Sequence, residues 1–273
     1  MEHTFETSTP VELTVEIATG TVHVEARDTA QSTVSINGSR ADEVEVDLSG
    51  TGLSVSWPHR AGFAGLRNSR LNVRVVVPTG SRVTAKLKSA DLTADGTLER
   101  VRVKSGSGDI GLATVTGDVT VEVGSGDVRA RTVGGDLRVR SGSGDVVLDR
   151  SEGGVEVLTG SGDVLVEEAE GTVQLKTGSG DLRVNHARGD VDLTAASGDV
   201  IVNRIDQGRV RSRNASGDVS VRIPTGTPVW TDISTMTGKI QSTLASTGAP
   251  EKGQPHVEIR VTTLSGDIRL HNI

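Results

Sequence analysis

Eight aspartates recur at a spacing that could support chemistry. Asp91, Asp109, Asp127, Asp145, Asp163, Asp181 and Asp199 lie 18 residues apart, and Asp218 follows one residue late. From Asp109 onward each closes a Ser-Gly-Asp tripeptide, while Asp91 closes the related Ser89-Ala90-Asp91. If the copies stack in register, their carboxylates form a column about 5 Å apart. Like charges at that distance repel by roughly 1 kcal/mol or more per neighbouring pair, so something must offset them. Turn N–H groups can do this, as in an Asx turn. Bound cations can do it too, because oxygen-lined Asp/Gly turns suit Ca²⁺.

The spacing separates the two. Calcium-binding β-roll repeats read Gly-Gly-x-Gly-x-Asp-x-apolar-x with a period of nine, whereas here Asp follows Gly directly. A second, weaker column lies midway: Gly117-Asp118, Gly135-Asp136, Gly153-Gly154, Gly171-Thr172, Gly189-Asp190 and Gly208-Arg209. Gly154, Thr172 and Arg209 interrupt it, so a cage drawn from both turns lacks half its ligands in three coils. The column is expected to be a structural turn ladder, and no metal or other cofactor is expected.

Other motifs offer less. Gly106-Ser107-Gly108 and its copies resemble phosphate loops, but a phosphate loop needs a following helix and usually a Lys, and a strand follows here. Arg188-Gly189-Asp190 matches a cell-adhesion tripeptide, yet it falls on the half-repeat turn where x-Gly-Asp is expected anyway. His3, His23, His59, His186, His256 and His271 show no paired metal-ligand spacing. Arg129, Arg131, Arg138 and Arg140, with Glu167, Glu168 and Glu170 further on, form a solvated surface of mixed sign. No nucleophile and base can be singled out, so no catalytic residue is assigned.

The elements that position these turns follow from the alternation between them. After each Asp the pattern is apolar, variable, apolar, as in Val128-Arg129-Ala130, Val146-Val147-Leu148 and Leu182-Arg183-Val184. Period-two alternation bounded by Gly is a strand with one buried face. No stretch of the repeat places apolar residues at helical spacing. Two short strands and two tight turns per 18 residues cannot bury their apolar face alone, so successive units must stack. The predicted fold is all-β: a single-chain parallel β-solenoid, or β-helix, with 18-residue coils. Its inward positions are Val, Leu, Ile and Ala, with Ser141, Thr159 and Thr177 where the second half-coil narrows into its turn. Seven steps from Asp91 to Asp218 give a rod of roughly 35 Å.

Open solenoid ends are sticky sheet edges and need caps. The expected organisation is an N-terminal β-strand cap region over 1–88, solenoid repeats over 89–223 and a C-terminal cap over 224–273. Strands are expected at 11–17, 22–26, 33–36, 44–48 and 71–77. The C-terminal part holds a Gly/Ser/Pro-rich excursion at 242–255 and a closing strand pair around Ser265-Gly266-Asp267. Three segments share a turn formula, Ile17-Ala18-Thr19-Gly20, Val77-Pro78-Thr79-Gly80 and Ile223-Pro224-Thr225-Gly226, and are expected where the chain enters or leaves a sheet.

Composition agrees with this architecture and excludes several functions. The chain has 34 Gly, no Cys, no Tyr and four aromatics: Phe5, Trp57, Phe63 and Trp230. A thin core lined by small branched residues has no room for rings. Without cysteine there is no disulfide framework, thiol nucleophile or cysteine-ligated metal. Too few aromatics for base stacking, with a net charge of −7, argue against nucleic acid as a partner. The start lacks the basic and apolar regions of a signal peptide, and no stretch approaches the roughly 18 apolar residues of a membrane span. As given, the chain is expected to be cytoplasmic, with no integral membrane segment; peripheral envelope association is compatible with this.

Tandem Ser-Gly-Asp-Val strands, an N-terminal β region ending in Val-Pro-Thr-Gly and a closing Ser-Gly-Asp-Ile-Arg-Leu strand resemble the bacterial β-strand-repeat domains labelled "putative adhesin", also called toastrack. The similarity covers essentially the whole chain. It implies a binding role, with relatives found beside envelope-stress proteins of the phage-shock type. It brings no catalytic residues.

One outward row adds a candidate surface. The first outward position after each main Asp reads Gly111, Arg129, Val147, Leu165, Arg183, Ile201 and Ser220. Val147 and Leu165 are expected side by side, with Ile201 two coils on, as an aliphatic stripe for a partner or a second copy. The competing readings are cover by the C-terminal excursion and isolated apolar residues that simply sit outside. The function expected is a non-enzymatic, adhesin-like binding or scaffold protein whose partner is a protein, an envelope component or itself. A Ca²⁺-binding β-roll-like module and a polysaccharide-acting enzyme on a β-helix are the alternatives.

Overall fold

In the computed structural model, residues 1–57, 70–244 and 256–273 are described. His59, Phe63 and the 245–255 part of the expected excursion lie outside them. The chain divides into two compact units, Met1–Gly135 and Asp136–Ile273. Both are built from strands paired in parallel one coil apart, so the solenoid expected from the 18-residue period is the fold. Among the described residues there is no α-helix, and a single 3-10 turn lies at Ala41–Glu43. None of these residues belongs to a helix long and apolar enough to cross a membrane.

The first unit coils before its Ser-Gly-Asp series begins. Strand Glu12–Arg27 runs parallel to Arg82–Leu98 over its whole length, from Glu12 opposite Arg82 to Ala26 opposite Gly96. Each run covers both half-coils. The boundary expected at 88/89 therefore falls inside a continuous strand. Among the described residues no non-glycine has positive φ, so Ala90 does not take the angle that Gly108 takes at φ +122°. Strands Arg100–Ser107 and Val119–Ser125 continue one row, and Ile110–Val115 and Val128–Val133 the other.

The N-terminal edge turns antiparallel. Glu45–Ser49 folds back on Gly52–Ser56, and Glu2–Glu6 pairs with Gln31–Asn37, which pairs with Leu71–Pro78. Glu2–Glu6 and Gly52–Ser56 are strands beyond the five expected in this region. Trp57 closes this edge as a buried ring, with the Arg40 guanidinium 5.2 Å from its centroid.

The second unit repeats one coil with little change. Leu137–Ser143, Val155–Ser161, Val173–Ser179, Val191–Ser197 and Gly208–Ser216 stack in parallel as one row. Val146–Ser151, Val164–Ala169, Leu182–Ala187, Val200–Val202 and Val219–Ile223 form the other. Inward residues such as Val157, Leu175, Leu182 and Val184 are fully buried. Ser141, Thr159 and Thr177 are buried where expected, and the hydroxyls of Ser141 and Thr159 donate to the carbonyls of Ser143 and Ser161 at 3.2 and 3.1 Å. The narrow corners thus hold small side chains, two of which satisfy turn carbonyls.

Chain order and spatial order part company at the C-terminus. After Val219–Ile223 the chain skips one coil position and lays down Val229–Thr237 and Ile240–Ser242. Val257–Ser265 and Ile268–Asn272 then fill the gap, pairing on one side with Gly208–Ser216 and Val219–Ile223 and on the other with the skipped-ahead strands. The closing strand pair around Ser265-Gly266-Asp267 exists but is not outermost. The turn formula marks the strand ends at 77–80 and 223–226, whereas 17–20 lies inside Glu12–Arg27. With no proline at position 18, nothing there removes a donor and ends the strand.

Candidate functional site

The aspartate column is a hydrogen-bonded ladder between coils, which corrects the expectation that each carboxylate caps its own turn. In the first unit the Asp109 N–H donates to Asp91 Oδ1 and the Asp127 N–H to Asp109 Oδ1, both at 3.0 Å. In the second, Asp163 donates to Asp145 and Asp181 to Asp163 at 2.8 Å, Asp199 to Asp181 at 2.7 Å, and Asp218 to Asp199 at 2.8 Å. Asp267 extends the ladder from Asp218, and the Lys239 N–H closes it on Asp267, each at 2.9 Å. The carboxylates of Asp91, Asp109, Asp145, Asp163, Asp181, Asp199, Asp218 and Asp267 are thus each met by a donor one coil away, and a charge-assisted bond is stronger than a neutral one.

From Asp109 onward the glycine before each Asp makes this geometry. Gly162 has φ +128°, and a Cβ there would sit 2.1 Å from the Gly144 carbonyl oxygen of the neighbouring coil. Only glycine allows both the backbone angle and the approach. The weaker column shows what happens without the carboxylate. The Gly154 N–H donates to Asp136 Oδ1 at 3.0 Å and the Arg209 N–H to Asp190 Oδ1 at 2.9 Å, but Gly154 and Arg209 offer no side-chain acceptor to the next coil.

Arg269 clamps the end of the main ladder, its guanidinium donating to Asp218 Oδ2 at 2.8 Å and Asp267 Oδ2 at 3.1 Å. The Asp267 N–H, with Arg269 beside it, holds the Asp218 carboxyl below its ordinary range against the opposing effect of burial. Among the described residues, no three His, Asp or Glu side chains come together as a group that could hold a metal ion.

The outward row is placed as follows. Val147 lies opposite Leu165, Leu165 opposite Arg183, and Arg183 opposite Ile201. All three aliphatic side chains are half-buried. Beside them runs a polar ladder that alternation alone did not single out: Asn185 Nδ2 donates to Glu167 Oε2 at 2.6 Å and Asn203 Nδ2 to Asn185 Oδ1 at 2.7 Å. Identical spacing of 18 in Glu167, Asn185 and Asn203 was the available signal.

Many charged side chains pair across coils. Arg138 meets Glu156 at 3.4 Å, Arg150 meets Glu168 at 2.7 Å, and Lys104 meets Glu122 at 3.4 Å. These pairs are exposed and individually weak. His186 and Arg204 both bind Asp206 at 2.8 Å; burial raises the Asp206 carboxyl, and these two partners bring it below its ordinary value. In the Arg-Gly-Asp tripeptide, Arg188 pairs with Glu170 and Asp190 holds the Arg209 N–H. In the first unit an open groove lies between Gly38, Arg70, Asn72, Asp91 and Gly108.

Fold and site together define a parallel β-solenoid held by an inter-coil aspartate ladder. The Toastrack DUF4097 family matches residues 11–271, and the chain belongs to that family. No curated protein matches the sequence. Among solved structures, a "putative adhesin" from Parabacteroides distasonis is 11% identical, with 98% of this chain and 96% of that one covered and a TM-score of 0.42. A "putative adhesin" from Bacteroides fragilis is 14% identical over 100% and 96%, with a TM-score of 0.36. A "putative cell adhesion protein" from Clostridium sporogenes is 11% identical over 100% and 99%, with a TM-score of 0.23.

Proposed function

We propose that this toastrack protein is a non-enzymatic binding module that presents a flat, rigid β face to a protein or other component of the cell envelope. The observation that carries the reading is the in-register pair Val147 and Leu165, outward and half-buried in the second unit. Two further features support it. Ladder carboxylates such as Asp163, Asp181 and Asp199 accept a backbone N–H from the neighbouring coil, which suits them to holding coils together, and many flanking ions are paired with each other. A face built this way changes little on binding, so little ordering entropy is lost.

The test is retention of the isolated envelope fraction on immobilised chain. Val147→Asp combined with Leu165→Asp should lose the bound component while keeping the far-UV circular dichroism and melting temperature of the parent. Retention unchanged in the double variant would remove the stripe from the interface.

A further inference from the structure

The second surface lies at the C-terminal end of the second unit and does not depend on the stripe. Large apolar side chains are well covered over most of the molecule. Among the described residues, those left exposed are Met1 and five in the last two coils: Trp230, Met236, Ile240, Leu264 and Ile273. Trp230 is 51% exposed, Met236 79% and Leu264 52%.

Trp230 and Met236 sit on a strand with an open edge. Val229–Thr237 pairs with Val257–Ser265 on one side, and no strand lies on its other side among the described residues. Backbone direction identifies the free groups. The Pro228 carbonyl accepts the Val257 N–H at 3.0 Å, so by period-two alternation Trp230, Asp232 and Ser234 also turn their backbone groups inward to the sheet. Thr231, Ile233 and Thr235 turn theirs to the open edge. A row of unpaired N–H and C=O groups is a template for another strand.

We infer that this edge pairs antiparallel with the same strand of a second copy, centred on Ile233. An antiparallel pair needs the edge-facing residues of each strand opposite each other. Centring on Ile233 sets Ile233 against its own copy and Thr231 against Thr235 of the second copy. The same register sets Trp230 against Met236 of the second copy, on the outward face. Within one chain Trp230 and Met236 lie at opposite ends of the strand; the two-fold brings them together. Leu264 flanks Met236 in the adjoining strand, since Thr263 pairs with Thr235 and Ser265 with Thr237. Each end of the joint thus becomes an aromatic ring on a thioether and a leucine. Asp232 meets Ser234, so no like charges are opposed.

Sliding by two residues in either direction loses this. Centred on Asp232, Trp230 faces Ser234; centred on Ser234, it faces Gly238. Self-complementarity about one point is the signature of a two-fold interface, and it selects a second copy of this chain as the occupant.

The test measures mass by light scattering on the full chain, at high concentration and on dilution, together with cross-linking. The wild type should approach twice the 28.4 kDa chain mass when concentrated. Thr231→Pro removes an N–H that points to the free edge and none that pairs within the sheet, a place where strands tolerate proline; it should return the mass to one chain without changing the far-UV circular dichroism. Because the chain has no cysteine, Asp232→Cys and Ser234→Cys each introduce a single thiol. Across a non-hydrogen-bonded pair about 4.5 Å apart, a mixture of the two should oxidise to a cross-linked dimer many-fold faster than either alone, a readout that stands even if the proline variant fails to fold. A wild type that stays at one chain mass at every concentration overturns the inference. So does a dimer that persists in folded Thr231→Pro, or cross-linking with no preference for the mixed pair.

Discussion

Two coils of the second unit, alike in backbone and unlike in neighbours, show what shapes the sequence. Val173–Ser179 has a strand on each side, and its inward residues Val173 and Leu175 are fully buried. Val229–Thr237 has a strand on one side only among the described residues, and its inward residues are Val229, Thr231, Ile233 and Thr235. The register is the same and Thr235 stands in the row of Thr177, but Thr231 stands in the row of Val173 where the stack ends. A core position with one neighbour gains less from burial, so polar side chains are tolerated there.

The contrast can be pressed by mutation, beginning with the core. Leu175→Ala should destabilise the unit by about 3 kcal/mol, within the span for buried leucines. The matching change at the end coil, Ile233→Ala, should cost about 0.5 kcal/mol in dilute protein; denaturant unfolding of both measures the difference, and equal losses would break the comparison. Gly162→Ala should cost about 2 to 3 kcal/mol, because an alanine there is strained in φ and meets a backbone oxygen. Gly226, at φ +86° with nothing within 4 Å of an added Cβ, should cost only about 1 kcal/mol on the same substitution. Asp163→Ala, which removes one rung of the ladder, should cost about 1 kcal/mol; no change in thermal unfolding would mean that water replaces the carboxylate without loss.

The smallest effect should be tied to pH. The folded state holds the Asp218 carboxyl low, so its stabilisation is complete above the unfolded value near 3.9. Between the two values the unfolded chain binds more protons, and stability falls as pH drops through the folded pKa. Asp218→Asn should lower the neutral-pH plateau and thereby flatten that acid limb, leaving stability at the lowest pH nearly unchanged. An unaltered acid limb would show that other carboxylates dominate it.

Much of this was legible in the residues. The period of 18 gave the coil, alternation gave the inward face, and Gly before Asp gave the corner. Val147 and Leu165 could be placed side by side from arithmetic alone. The donors of the ladder could not, because a side chain reaching to its own turn and one reaching to the next coil have the same sequence signature. Nor could the early coiling of 12–27 with 82–96, where the Ser-Gly-Asp signal fades to Thr19-Gly20-Thr21 and Ser89-Ala90-Asp91.

By itself the sequence determined the class of fold, since residue types repeating every 18 positions can bury their apolar face only by stacking. Which strand lies outermost was a tertiary decision. Val229–Thr237 precedes Val257–Ser265 in the chain yet sits beyond it in space, because a parallel edge accepts any coil of matching register, whatever its order along the chain. That choice, made by pairing rather than by sequence position, leaves Trp230 and Met236 on an open edge.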